Sequence, residues 1–129
     1  MPTQFASRVN RVLVVDDDSH TADGLRLLLE LDGYEVVALR SSEEAIERLK
    51  SEVFDAVITD LEMPKNDGFV LLERVHAKGP ATPVLVMTGY YGSPVCDQAV
   101  LAGAWCVLGK PIDYDQLAQE LADSLTRLK

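Results

Sequence analysis

Four apolar runs of this chain end in residues able to do chemistry. Val12 to Val15 runs into Asp16-Asp17-Asp18, and Ala56-Val57-Ile58-Thr59 delivers Asp60 shortly before Pro64. Val84 to Met87 ends in Thr88-Gly89, and Trp105 to Leu108 ends in Gly109-Lys110-Pro111. Carboxylates brought together in this number suit Mg²⁺ (or Mn²⁺), a hard cation that takes a few of them, keeps waters and accepts a phosphate oxygen. A lysine adds a compact positive charge for a phosphate, and a threonine adds a hydroxyl donor. In such a set Asp60 can itself attack a phosphoryl group, because in-line transfer depends on positioning and on neutralised oxygens rather than on a separate base. The plainer reading gives the same acids local work, with Asp16 to Asp18 starting a helix and Asp60 capping a loop. The choice turns on whether the four runs bring their ends together.

An apolar, β-branched run bounded by polar residues reads as a strand of a parallel sheet covered on both faces, and open α/β sheets bind ligands beyond the carboxyl ends of their strands. Arg11–Val15, Tyr34–Leu39, the run ending at Asp60, Pro83–Met87 and Trp105–Leu108 are five such strands. Helical patterns separate them. Ser19 caps a helix running to about Asp32, with Leu25, Leu28 and Leu29 on its buried face and Gly33 ending it. Ser41 and Glu44 make a capping box before Ala45, Ile46 and Leu49. After a turn at Lys65-Asn66-Asp67-Gly68, Phe69, Leu71, Leu72 and Val75 mark a third helix that stops near Gly79-Pro80. Ser93-Pro94 opens a fourth helix to about Ala102, and Gly103 closes it. Asp113 with Gln116 starts the last, whose face is Tyr114, Leu117, Ala118, Leu121, Ala122 and Leu125.

Five βα units joined by right-handed crossovers predict a flavodoxin-like, doubly wound (βα)5 fold with a five-stranded parallel sheet of order 2-1-3-4-5. Neighbouring strands lie about 4.8 Å apart, so the tips carrying Asp16, Asp17, Asp60, Thr88 and Lys110 share one pocket. The clustered carboxylates should repel one another and raise at least one pKa, a strain that a cation relieves. A nucleotide or flavin fits poorly, because aspartates stand where a glycine-rich phosphate loop is required.

The 129 residues make one domain over 11–128 after a polar lead-in at 1–10, long enough to bury a core without staples. The formal net charge of −9 disfavours direct nucleic-acid binding and favours cationic partners. No run approaches the roughly 20 apolar residues of a membrane span and no signal-peptide pattern opens the chain, so the expectation is a soluble, cytoplasmic protein without membrane contact. Cys96 and Cys106 make no disulfide framework and read as small buried hydrophobes. His20 at a helix start and His76 beside Arg74 and Lys78 read as solvated positions.

Taken in order and spacing, Val12 to Asp17, Asp60 to Pro64 with Asp67-Gly68, Thr88-Gly89 and Lys110-Pro111 resemble the receiver domains of two-component response regulators, over nearly the whole chain. The resemblance implies Asp60 as phospho-acceptor, Asp16 and Asp17 as the acidic metal pair with Asp60, and the backbone carbonyl of Glu62 as a further metal ligand. It implies Thr88 and Lys110 as holders of phosphoryl oxygens and a cis Lys110-Pro111 bond. Asp18 matches no ligand position and is expected to face solvent. Glu62 and Tyr90 occupy the positions that tune phosphate lifetime, Tyr90 as a shield against water. The chain departs from the family at Val107, where an aromatic normally rotates inward on phosphorylation. Trp105, expected by strand alternation on the same side, is a candidate substitute, and the Thr88 to Ser93 loop with Gly89 and Gly92 is another route for switching.

The resulting expectation is a Mg²⁺-dependent receiver phosphorylated by a histidine kinase or a histidine phosphotransfer protein, acting on itself rather than on an external substrate, and switching an effector-binding or dimerising surface on the last two helices and strand five. A phosphorylation-independent adaptor is the alternative from another class, and a small Asp-nucleophile phosphatase is a third that the lack of a cap segment disfavours. The end of the chain at Lys129 fits both a standalone receiver and part of a larger regulator.

Overall fold

The computed structural model describes residues 9–64, 67–79 and 81–126. Its strands are β1 (Arg11–Val15), β2 (Glu35–Leu39), β3 (Ala56–Asp60), β4 (Val84–Thr88) and β5 (Cys106–Gly109). The helices are α1 (Ser19–Leu31), α2 (Ser42–Leu49), α3 (Asp67–Lys78), α4 (Pro94–Leu101) and α5 (Tyr114–Thr126). All strand pairs are parallel and the sheet order is β2-β1-β3-β4-β5, as expected from the five βα units.

The period-two pattern of the central strands sorts the core into two layers. Leu13, Val15, Val57 and Val86 face one side, where Ala45, Leu49, Leu71, Leu72, Val75 and Ala99 from α2, α3 and α4 cover them. Val12, Val14, Ile58, Leu85 and Met87 face the other, under Leu25 and Leu29 of α1 and Leu117 and Leu121 of α5. Burial of each large aliphatic side chain contributes about 1.5–3 kcal/mol, enough to hold helices whose isolated stability would be marginal. Because β1, β3 and β4 are covered on both faces, their chemistry-bearing residues reach solvent only at the carboxyl edge.

Helix ends follow the sequence with informative exceptions. Ser41 Oγ accepts the Glu44 N–H at 3.1 Å, Ser93 Oγ accepts that of Val95 at 3.3 Å, and Asp113 Oδ1 accepts those of Asp115 and Gln116. The cap of α1 is Asp18 and not Ser19: Asp18 has extended backbone and its carboxylate accepts the His20 N–H at 2.9 Å. Ser19 is the first helical residue, because β1 ends early enough to leave Asp16 to Asp18 as the connection. Asp18 thus does the plain capping work and, with a side chain 58% exposed, faces solvent.

Leu28, expected on the buried face of α1, is 41% exposed, and Ala22 takes the inward place with Leu25 and Leu29. Asp67 and Gly68, read as a turn, form the first turn of α3, while Lys65 and Asn66 lie outside the described residues. Residues 1–8 of the expected lead-in, Pro80 and the last three residues also lie outside them. Among the described residues, no helix is long and apolar enough to cross a membrane.

Both cysteines are free and half-buried, not fully buried as expected. Burial, with the charge of Glu120 adding to it, pushes the Cys106 thiol up to about 12. At pH 8 its thiolate is then only about one part in 10⁴, and since a more basic thiolate is intrinsically more nucleophilic, alkylation by iodoacetamide should run on the order of 10²-fold slower than for an unperturbed cysteine. The rate should climb about tenfold per pH unit, which peptide mass mapping of Cys106 reads directly.

Candidate phosphoryl-acceptor site

The sheet register brings the expected residues to one edge. Val15 pairs with Thr59 and Asp60 with Met87, so the residues after β1 and at the ends of β3 and β4 stand side by side. Asp16, Asp60 and Thr88 are buried and Asp17 is exposed. One carboxylate oxygen from each of Asp16, Asp17 and Asp60 lies within 4.8 Å of the others. An octahedral Mg²⁺ with bonds of about 2.1 Å holds its ligand atoms about 3 to about 4.2 Å apart, so this donor set fits the ion with small side-chain adjustments.

Asp60 is held by both oxygens. Its Oδ1 accepts the Glu62 N–H at 3.1 Å, and its Oδ2 lies 3.1 Å from Lys110 Nζ. Lys110 also reaches Asp16 Oδ2 at 3.2 Å, while Asp16 Oδ1 accepts the Asp18 N–H at 2.9 Å. One ammonium therefore bridges two buried carboxylates. Burial raises the Asp16 pKa, the Asp18 amide opposes that, and the charge of Asp60 adds a smaller upward push. Repulsion among the acids is present, but desolvation is the larger cause. For Lys110 burial works downward, and the Asp60 and Asp16 carboxylates outweigh it, so its pKa is raised and the side chain stays charged. Lys110 is placed by its backbone N–H on the Thr88 carbonyl at 2.8 Å and by a cis Lys110-Pro111 bond.

Thr88 is beside the acid cluster, but its hydroxyl donates to Glu62 Oε2 at 2.6 Å. Gly89 N–H donates to Glu62 Oε1 at 2.7 Å. The Glu62 side chain was invisible as a partner of Thr88 in the sequence, because the two are 26 positions apart. Gly68 is a second missed contributor. A Cβ there would overlap the Asp60 carbonyl oxygen and sit 2.5 Å from Leu61 Cα. The Asp-Gly pair signalled a turn, whereas the contact arises only when α3 folds back on β3.

The switch candidates separate. Val107 packs with the α2, α3 and α4 layer, but Trp105 packs with the α1 and α5 layer. The expected same-side placement fails because Trp105 precedes β5, so strict alternation does not reach it, and its indole N–H finds Glu120 Oε1 on α5 at 3.2 Å. The ring at the rim of Val107 is Tyr91, which lies against Gly109 and with Cys96 and Val107 lines a shallow cleft. Tyr90 is 63% exposed, and its link to the site is a backbone N–H donated to Thr88 Oγ1 at 3.0 Å.

A (βα)5 sheet with an acidic pocket, a hydroxyl and a lysine at its carboxyl edge belongs to the class of aspartate-phosphorylated signalling domains. The family model for the response regulator receiver domain matches residues 12–122, and the chain belongs to that family. It is 39% identical over 114 residues to the transcriptional regulatory protein ZraR of Escherichia coli (strain K12), covering 88% of this chain and 26% of that protein. The chain thus spans about a quarter of the length of such curated relatives. A CheY-like receiver domain protein from Methanospirillum hungatei JF-1 superposes with a TM-score of 0.86 at 29% identity, covering 92% of this chain and 94% of that one. The chemotaxis response regulator CheY4 of Vibrio cholerae does so with a TM-score of 0.82 at 30% identity, covering 92% and 100%. The chain is accordingly a phospho-accepting receiver domain of the two-component signalling class.

Proposed function

We propose that Asp60 is the residue that accepts the phosphoryl group, within a domain spanning residues 11–128. The observation that carries this is the bridging of Asp60 and Asp16 by Lys110 at 3.1 and 3.2 Å on the edge of the sheet. The attacking oxygen of Asp60 forms a bond to phosphorus as the P–N bond of a phosphohistidine donor breaks and the imidazole leaves. The Glu62 N–H and Lys110 hold the carboxylate in one orientation, which supplies the alignment an in-line transfer needs. Lys110, kept charged by its acidic neighbours, passes from a carboxylate oxygen to an incoming phosphoryl oxygen without a proton moving. Thr88 donates its hydroxyl to a second oxygen of the product.

The residues that would hold Mg²⁺ are Asp16, Asp17, Asp60 and the backbone carbonyl of Glu62. When bound, the ion neutralises phosphoryl oxygens and relieves the repulsion among the carboxylates. The donor is a histidine kinase or a histidine phosphotransfer protein, and the output is a change in a surface that an effector or a second copy of the chain reads. With valine at position 107, that change runs through the Thr88 to Ser93 loop, where Gly92 already has φ +91°. Tyr90 acts there through its amide on Thr88, and its exposed ring is the part able to shield the acyl phosphate.

The test is intact mass after incubation with acetyl phosphate. One added phosphoryl group is expected with Mg²⁺ and none after chelation by EDTA. Absence of the gain with Mg²⁺, where another receiver is labelled in parallel, would leave the phosphorylation-independent adaptor as the reading.

A further inference from the structure

The Glu62 carboxylate makes two contacts that acceptor chemistry does not require. It takes the Thr88 hydroxyl proton at 2.6 Å and the Gly89 N–H at 2.7 Å, one on each oxygen, and both bonds are short as charge-assisted bonds are. Both donors stand at the end of β4, next in the sheet to the end of β3 that carries Asp60. The Thr88 side chain is buried and its hydroxyl has a single proton to give, while one of its two lone pairs accepts the Tyr90 N–H. Among the described residues, Glu62 therefore takes the hydroxyl donor at the end of β4 and the amide that follows it. A phosphoryl group on Asp60 is an anion with the same demand for donors, arriving at the same edge.

We propose that the Glu62 side chain is an internal anionic latch. In the unphosphorylated chain it occupies the Thr88 and Gly89 donors that a phosphoryl group on Asp60 recruits, and it holds the Thr88 to Ser93 loop in its resting position until displaced. The proposal rests on Asp60 being the acceptor. Glu62 is itself exposed, so once released its carboxylate moves into water, where it is readily solvated. The latch makes the binding-competent state a minority and weakens the apparent affinity for a phosphoryl mimic by that fraction. It also gives the loop a two-state contact that does not depend on an aromatic at position 107.

The experiment titrates beryllofluoride with Mg²⁺ into the wild-type chain, Glu62→Gln and Glu62→Ala, following the Gly89 amide by ¹H–¹⁵N NMR. Before any addition, the Gly89 amide of Glu62→Ala should lie upfield of wild type and exchange faster with solvent. Glu62→Ala should bind beryllofluoride about tenfold more tightly than wild type, with Glu62→Gln between them because it keeps an acceptor oxygen without the charge. With beryllofluoride bound, the Gly89 amides of the three proteins should converge. Equal affinity in wild type and Glu62→Ala, or an unchanged Gly89 amide, overturns the latch and leaves the acceptor reading standing. Binding by none of the three overturns both.

Discussion

Asp60→Asn should abolish labelling by acetyl phosphate, lowering the rate by at least about 10³-fold, with no added phosphoryl mass after times that saturate the wild type. An asparagine keeps the shape of the side chain and an oxygen able to accept the Glu62 N–H, but its amide is a very poor nucleophile toward phosphorus. It also removes one of the three carboxylates drawn within 4.8 Å, so affinity for Mg²⁺ should fall as well. The fold should survive. Asp60 is 2% exposed and its charge adds to the upward push on the Asp16 pKa, so its removal relieves repulsion within a desolvated pair. Lys110 keeps Asp16 as a partner at 3.2 Å, which avoids an unpaired cation at the edge. A melting temperature at or above that of wild type, together with loss of the mass gain, separates lost chemistry from lost structure. Persistent labelling of Asp60→Asn would move the acceptor to another carboxylate, with Asp16 and Asp17 the nearest.

The parts of this site that could be read from the sequence are those set by where strands stop. Asp16, Asp60, Thr88 and Lys110 each follow an apolar run, and a parallel sheet carries such residues to one edge whatever the side chains between them do. The order 2-1-3-4-5 was legible for the same reason, since four short crossovers leave few alternatives. What was not legible depends on through-space closure. Glu62 meets Thr88 only after β3 and β4 pair, and no local pattern marks a glutamate for that contact. Trp105 went to the opposite layer because it stands one residue before β5, where strand alternation no longer fixes a side. Asp18 replaced Ser19 as the cap of α1 because both residue types cap well and the end of β1 decides which one stands outside the helix.

Gly68→Ala should be strongly destabilising for so small a change, costing about 3 kcal/mol, at the upper end of what one added methyl group costs in a packed site. The atoms that a Cβ would meet are the Asp60 carbonyl oxygen and Leu61 Cα, both backbone, so no side-chain rotation relieves the overlap. The peptide they belong to is fixed by the Leu61 N–H donated to the Met87 carbonyl at 2.9 Å. Either that bond at the end of the sheet opens, or α3 lifts from the sheet and exposes its own Leu71, Leu72 and Val75, which are buried against it. Both routes disturb the backbone that carries the acceptor. The melting temperature should fall by about 10 °C, and the rate of labelling by acetyl phosphate should fall with it. Gly24→Ala is the internal comparison. Gly24 lies within α1 and a Cβ there meets nothing within 4 Å, so replacing it should stabilise the chain by up to about 1 kcal/mol through helix propensity alone. Opposite shifts from the same chemical change, read by thermal unfolding of the two variants, would show that packing of α3 on the Asp60 peptide, and not glycine's flexibility, is what position 68 requires. Equal shifts would remove that contact from the account of how Asp60 is held.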